Sequence, residues 1–138
     1  MKKLVLLILL GVSTLFGDFV RDNYYSFIVD TETGLVWYDE SVEKVSFINA
    51  VNRCESLSVG SYDDWFLPNF NQLLSITDDT KSNPAISTSF SSRVSQKYWS
   101  STSVHRDTSK AWSVDFSSGK SSLSSKTSLL YYRCARFL

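Results

Sequence analysis

Apolar positions follow two periods along this chain, and the switches between them mark its elements. Phe27-Ile28-Val29-Asp30 is a short apolar run that reads as a strand, and Leu35-Val36-Trp37 reads as its return. Between them Thr31-Glu32-Thr33-Gly34 has turn chemistry, with Gly34 free to take a positive φ. At Ser46, a candidate N-cap, the period lengthens. Phe47, Ala50, Val51, Cys54 and Leu57 then recur at helical spacing, and Gly60 sits just past the end. Trp65-Phe66-Leu67 is stopped by Pro68. Asn69 and Gln72 form a capping-box signature for a second helix. Phe70, Leu73, Leu74 and Ile76 supply its apolar face, and Asp78, Asp79, Asn83 and Pro84 end it.

The second half is patterned differently. Ser87 to Ser103 is serine-rich and reads as loop, holding one short strand at Tyr98-Trp99-Ser100. From Ala111 to Phe116 the period is two: Trp112, Val114 and Phe116 face one way, Ser113 and Asp115 the other. Ser117-Ser118-Gly119-Lys120 is a hairpin turn, and Ser121 to Ser125 returns as an exposed strand. Leu130 to Arg136 is the last strand, with Tyr132 and Cys134 on one face and Tyr131, Arg133 and Ala135 on the other. Helices grouped apart from antiparallel strands predict an α+β domain.

Residues 1–17 fall outside that pattern. Lys2 and Lys3 precede an unbroken apolar run from Leu4 to Leu10, and polar residues follow from Asp18. The run is too short to span about 30 Å of hydrocarbon as a helix. It has the form of a secretory signal ending at Gly17, with an uncleaved anchor as the alternative. Residues 18–138 are then one exported domain in the periplasm, at the cell surface or outside the cell, with no membrane span after cleavage. At 138 residues, 43% hydrophobic and 14% aromatic, the chain has ample material for a single core.

Charge is balanced overall but uneven. Asp18 to Thr80 carries three basic residues against twelve acidic, a net of −9. Lys81 to Leu138 carries nine basic against two acidic, a net of +7. Either the halves interleave on one surface, or the second half presents a basic face to a polyanion. Arg93, Lys97, Arg106, Lys110, Lys120 and Lys126 are the candidate binding residues, set among hydroxyl side chains. Nucleic acid is not the expected partner of an exported protein.

Export also changes the meaning of Cys54 and Cys134, the only two cysteines. In an oxidising compartment they are expected to form a disulfide; two buried free thiols are the alternative. One histidine and no Cys-x-x-Cys give no metal site and imply no cofactor.

Four segments taken together carry a family resemblance. They are Val29 to Trp37, Tyr62 to Asn69, Tyr98 to Thr102, and Ala111 to Phe116 with Arg133-Cys134-Ala135-Arg136. In order and spacing the chain resembles the Lcl C-terminal domain family, named for a collagen-like bacterial surface adhesin, over roughly Phe27 to Arg136. The pattern is also similar to the C-type-lectin-like and formylglycine-generating-enzyme superfamily. The resemblance implies an exported binding domain, with sulfated glycans as the class of partner. Where the family often has Arg and Glu, this chain has Phe66 and Gln72.

Catalytic signals are sparse. His105 lies in a polar loop near Asp107, and there is no GxSxG elbow. Asp63/Asp64 and Asp78/Asp79 are candidate carboxylate pairs for hydrolysis or calcium, and neither has an EF-hand context. No catalytic residue is assigned. Trp37, Trp65, Trp99 and Trp112 are expected in the core, with sugar stacking on an exposed tryptophan as the alternative. The reading is a non-catalytic domain that recognises an anionic glycan or an envelope protein, as a monomer or a homo-oligomer. A structural envelope domain and an uncharacterised hydrolase are the alternatives.

Overall fold

A computed structural model describes residues 19–40 and 43–138. The expected signal segment lies outside the described residues. Nine elements follow in chain order: β1 (Phe19–Asp22), β2 (Phe27–Asp30), β3 (Leu35–Tyr38), α1 (Phe47–Glu55), α2 (Phe70–Leu74), β4 (Lys97–Val104), β5 (Asp107–Asp115), β6 (Lys120–Ser125) and β7 (Ala135–Phe137). They form a four-stranded sheet, β1-β2-β3-β7, and a three-stranded sheet, β4-β5-β6. Every strand pair within the sheets is antiparallel. The fold is α+β.

The four-stranded sheet is buried on both faces, which is why β2 has no polar alternation. Phe27, Val29 and Val36 pack with Ala50, Cys54, Trp65 and Trp99. Ile28 and Trp37, paired across β2 and β3, pack with Leu73, Phe90, Tyr98 and Phe116. The sheet is thus a partition between two cores. The Asp30 carboxylate caps the β2–β3 turn, accepting from Glu32 N, Thr33 N and Thr33 Oγ1, while Gly34 turns with φ 73°. The expected hairpin is therefore present, with its chemistry traced to Asp30, Thr33 and Gly34.

Both helices are where the spacing puts them, and both are shorter. Ser46 occupies the N-cap position of α1, but its side chain makes no capping bond. α1 ends at Glu55, so Leu57 packs on the core from outside the helix. Asn69 and Gln72 form the full capping box of α2. Thr77 pairs with Ile86 soon after, so Ile76 is buried from a turn rather than a helix. Gly60 is not a helix terminator. It sits in the Val59–Tyr62 turn with φ 64°, and a Cβ there would stand 2.7 Å from the Phe27 ring.

Three departures come from strands without an apolar signal. β1 has only Val20 and Asp22 buried, too short a pattern to register. β4 and β5 make a long hairpin through Val104 and Asp107, where a loop up to Ser103 and a strand from Ala111 were expected. Its outer half is largely hydroxyl and charged residues in water, so no alternation marks it. Conversely, the run Leu130 to Arg136 is strand only from Ala135. Before that it threads between elements, with Leu130 bridging Val45 and Tyr131 bridging Tyr98. The face assignment of this run is correct: Tyr132 and Cys134 enter one core, and Ala135 enters the other with Tyr131 packed against it.

Candidate functional site

Arg133-Cys134-Ala135-Arg136 is the point where distant parts of the chain meet. Cys134 is bonded to Cys54 on the buried face of α1, 80 residues away. Ala135 exchanges backbone hydrogen bonds with Phe66 at 2.8 and 2.9 Å, which places the Trp65-Phe66-Leu67 segment against β7. Arg136 holds Asp64 bidentately at 2.6 and 3.1 Å and lies 3.7 Å over the Tyr62 ring. Asp64 is thus an arginine partner.

Arg133 goes further inside. Its guanidinium sits between the Phe90 and Tyr98 rings, at 4.8 and 5.3 Å. It donates to Asp39 Oδ1 at 2.9 Å and to the Ser92 carbonyl. Arg21 donates to Asp39 Oδ2 at 2.5 Å, and the backbone N–H groups of Ser91 and Ser92 donate to the same carboxylate. Burial alone raises the Asp39 pKa. The Ser91 N–H and the two arginines outweigh it and hold the carboxyl below its ordinary range. Asp39 therefore pins the serine-rich stretch to the first sheet. No sequence signal singled it out, because its partners are 18 and 94 residues away and two are backbone groups.

The six candidate basic residues do not form one cluster. Arg106 lies in the two-residue turn of the β4–β5 hairpin beside His105. Lys110 is opposite Ser125, and the Lys126 backbone N–H donates to the Ser109 carbonyl. These three cations share the free end of the hairpin, where Asp107 is the only carboxylate among the described residues. Asp107 is held below its usual pKa first by the Ser109 hydroxyl, and its contact with Lys110 is a loose 4.0 Å. Lys126 also reaches Ser103 Oγ at 2.8 Å and lies 4.7 Å from the Phe47 ring centroid. Lys97 and Lys120 flank Asp115 at the opposite end of the sheet. Arg93 is exposed in the serine-rich stretch. Lys120 lies opposite Asp115, so the length of β6 separates it from Lys110 and Lys126.

Trp112 also departs from expectation. Trp37, Trp65 and Trp99 are at most 2% exposed, whereas Trp112 is half-buried and belongs to neither core. It packs against Phe70 at the sheet margin, with centroids 5.1 Å apart. Ser113, on the opposite face, is fully buried and bonds Ser124 Oγ at 2.8 Å, because α1 and its neighbours cover that side. Beside β1 and the end of α2, Asp30, Glu32, Asp78 and Asp79 line a cleft of about 520 Å³. Asp78 there accepts from Thr80 N and Oγ1 and contacts Lys81, as a turn residue does. Among the described residues no group of three or more His, Cys, Asp or Glu is suited to hold a metal ion, and no helix is long and apolar enough to cross a membrane.

Residues 26–136 match the family model of the Lcl C-terminal domain. The chain belongs to that family. A comparison with curated proteins returned no match. The Lcl C-terminal domain match spans the Asp30 turn, Asp39, both cysteines, Asp64, Arg133 and Arg136, so it takes in the network described above except Arg21. Phe66 and Gln72 line one shallow cavity of about 370 Å³. Here Phe66 packs on Phe137 and Gln72 caps α2, which accounts for both without an ion pair.

Proposed function

We propose that this protein is an exported, non-catalytic recognition domain of C-type-lectin-like type whose β4–β5 hairpin binds an anionic or sulfated glycan of the cell surface or envelope. The observation that carries this reading is the free end of the hairpin, where Arg106, Lys110 and Lys126 stand with one carboxylate, Asp107. Surrounding hydroxyls at Ser101, Ser103, Thr108 and Ser125 add hydrogen-bond donors for sulfate or carboxylate oxygens. Single exposed ion pairs contribute less than about 1 kcal/mol, so affinity needs several cations at once. It should also fade as salt shortens the Debye length to about 8 Å. Lys97, Lys120 and Arg93 lie outside this group and take no part in the reading.

Heparin-affinity chromatography of the mature chain tests it. The wild type should be retained at low salt and elute as salt rises. Arg106→Glu with Lys110→Glu should flow through with an unchanged melting temperature. A wild type that passes through at low salt overturns the proposal.

A further inference from the structure

Resting on the reading above, the geometry points to Trp112 as a stacking platform for one pyranose ring of the bound polysaccharide, with Lys110 beside it to take that sugar's carboxylate or sulfate. The face runs in three cross-strand rows: Val114 with Ser121, Trp112 with Leu123, and Lys110 with Ser125. Val114 is fully inside the second core. One row on, Trp112 is half open, and Leu123 across from it is 47% exposed. One row further, Lys110 is in water. The surface therefore changes from core to solvent at the indole itself.

The four indole N–H groups differ in the same way. Trp65 donates to the Tyr62 carbonyl at 3.2 Å, and Trp99 donates to the Val45 carbonyl at 2.9 Å. Trp37 is sealed in apolar surroundings with its N–H unpaired. Trp112 Nε1 has no acceptor among the described residues and is not one of the buried orphans, so it stands open to a ligand hydroxyl. Phe70 backs the ring, so it is positioned before a ligand arrives.

This combination selects a sugar over a protein partner. The apolar area is one indole and one leucine, too small for a protein interface. It is rimmed by Ser121, Ser125 and an ammonium group. A pyranose presents polarised C–H bonds on one face, which suit the negative π-face of an indole, and hydroxyls round its edge. Its acidic substituent provides the charge that complements Lys110.

The test measures a heparin-derived oligosaccharide by titration across a salt series, with neutral dextran as control. Trp112→Ala should weaken binding about tenfold, as loss of one central aromatic contact does, and Trp112→Phe should restore most of it. The slope of log Kd against log salt should stay unchanged in both, because an aromatic contact releases no counterions. Lys110→Glu should flatten that slope. Tryptophan emission should shift on adding the oligosaccharide to the wild type but not to Trp112→Phe. Equal affinity in the wild type and Trp112→Ala, or a shift that survives in Trp112→Phe, overturns this inference and leaves the hairpin reading standing. No binding by the wild type overturns both.

Discussion

The two sheets are built to different specifications. In β1-β2-β3-β7 both faces are covered, and the buried charges Asp39 and Arg136 are ion-paired, Asp39 with Arg21 and Arg133, and Arg136 with Asp64. In β4-β5-β6 only the half nearest the cores is covered, and the outer half is exposed hydroxyls and cations whose one ion pair, Lys110 with Asp107, is a loose 4.0 Å. Substitution should therefore cost folding in the first region and leave folding alone in the second. That contrast separates scaffold from the proposed recognition surface, and it can be attacked from either side.

The largest effect belongs to Asp39. Removing it in Asp39→Ala strands the buried Arg133 guanidinium, and loss of one partner of a buried ion pair costs about 3–5 kcal/mol. Urea unfolding should show this as a lower midpoint; a variant as stable as the wild type would mean the two sheets are not different in kind. Next is the Cys54–Cys134 bridge. Opening its 80-residue loop in Cys54→Ser should cost about 2–5 kcal/mol, and a reductant should lower the wild-type melting temperature correspondingly.

Acid should act on the first region more mildly, since a protonated Asp39 keeps part of its hydrogen bonding. Its folded pKa lies below the unfolded value of about 3.9, so its contribution is complete above that value. It is lost as pH falls through the folded pKa. Stability should drop below about pH 4, and Asp39→Asn should flatten that limb of the profile. The smallest effect is at the hairpin end. Arg106→Glu and Lys110→Glu should each change stability by no more than about 0.5 kcal/mol while abolishing heparin retention in combination.

How much of this was legible in the sequence follows the same division. Short continuous apolar runs located β2 and β3, which are buried on both faces, and period-3.6 and period-two patterns located both helices and the inner half of β5. The partners of Cys54 and the faces of Tyr132 and Cys134 were also readable. The outer hairpin was not, since Ser101 to Lys110 is exposed on both faces and periodicity reports burial. Trp112 was misplaced because its apolar alternation with Val114 and Phe116 is real, but the covering layer ends one row short of it. The Asp39 network was invisible for another reason: an acidic residue followed by Glu40 reads as surface when its partners lie in Arg21, Arg133 and a serine loop.

The clasp at Arg133 to Arg136 also sets an order of events. Asp39, Cys54 and Asp64 emerge early in synthesis, and their partners follow 94, 80 and 72 residues later. Until then the nascent chain holds Cys54 without its disulfide partner, and Asp39 has Arg21 and the Ser91 and Ser92 N–H groups but not Arg133. Contacts of such long sequence separation carry the loop-closure cost before any reward. The domain therefore closes only once Arg133 to Arg136 has been made, and a chain that stalls before Arg133 should be a substrate for proteases and chaperones.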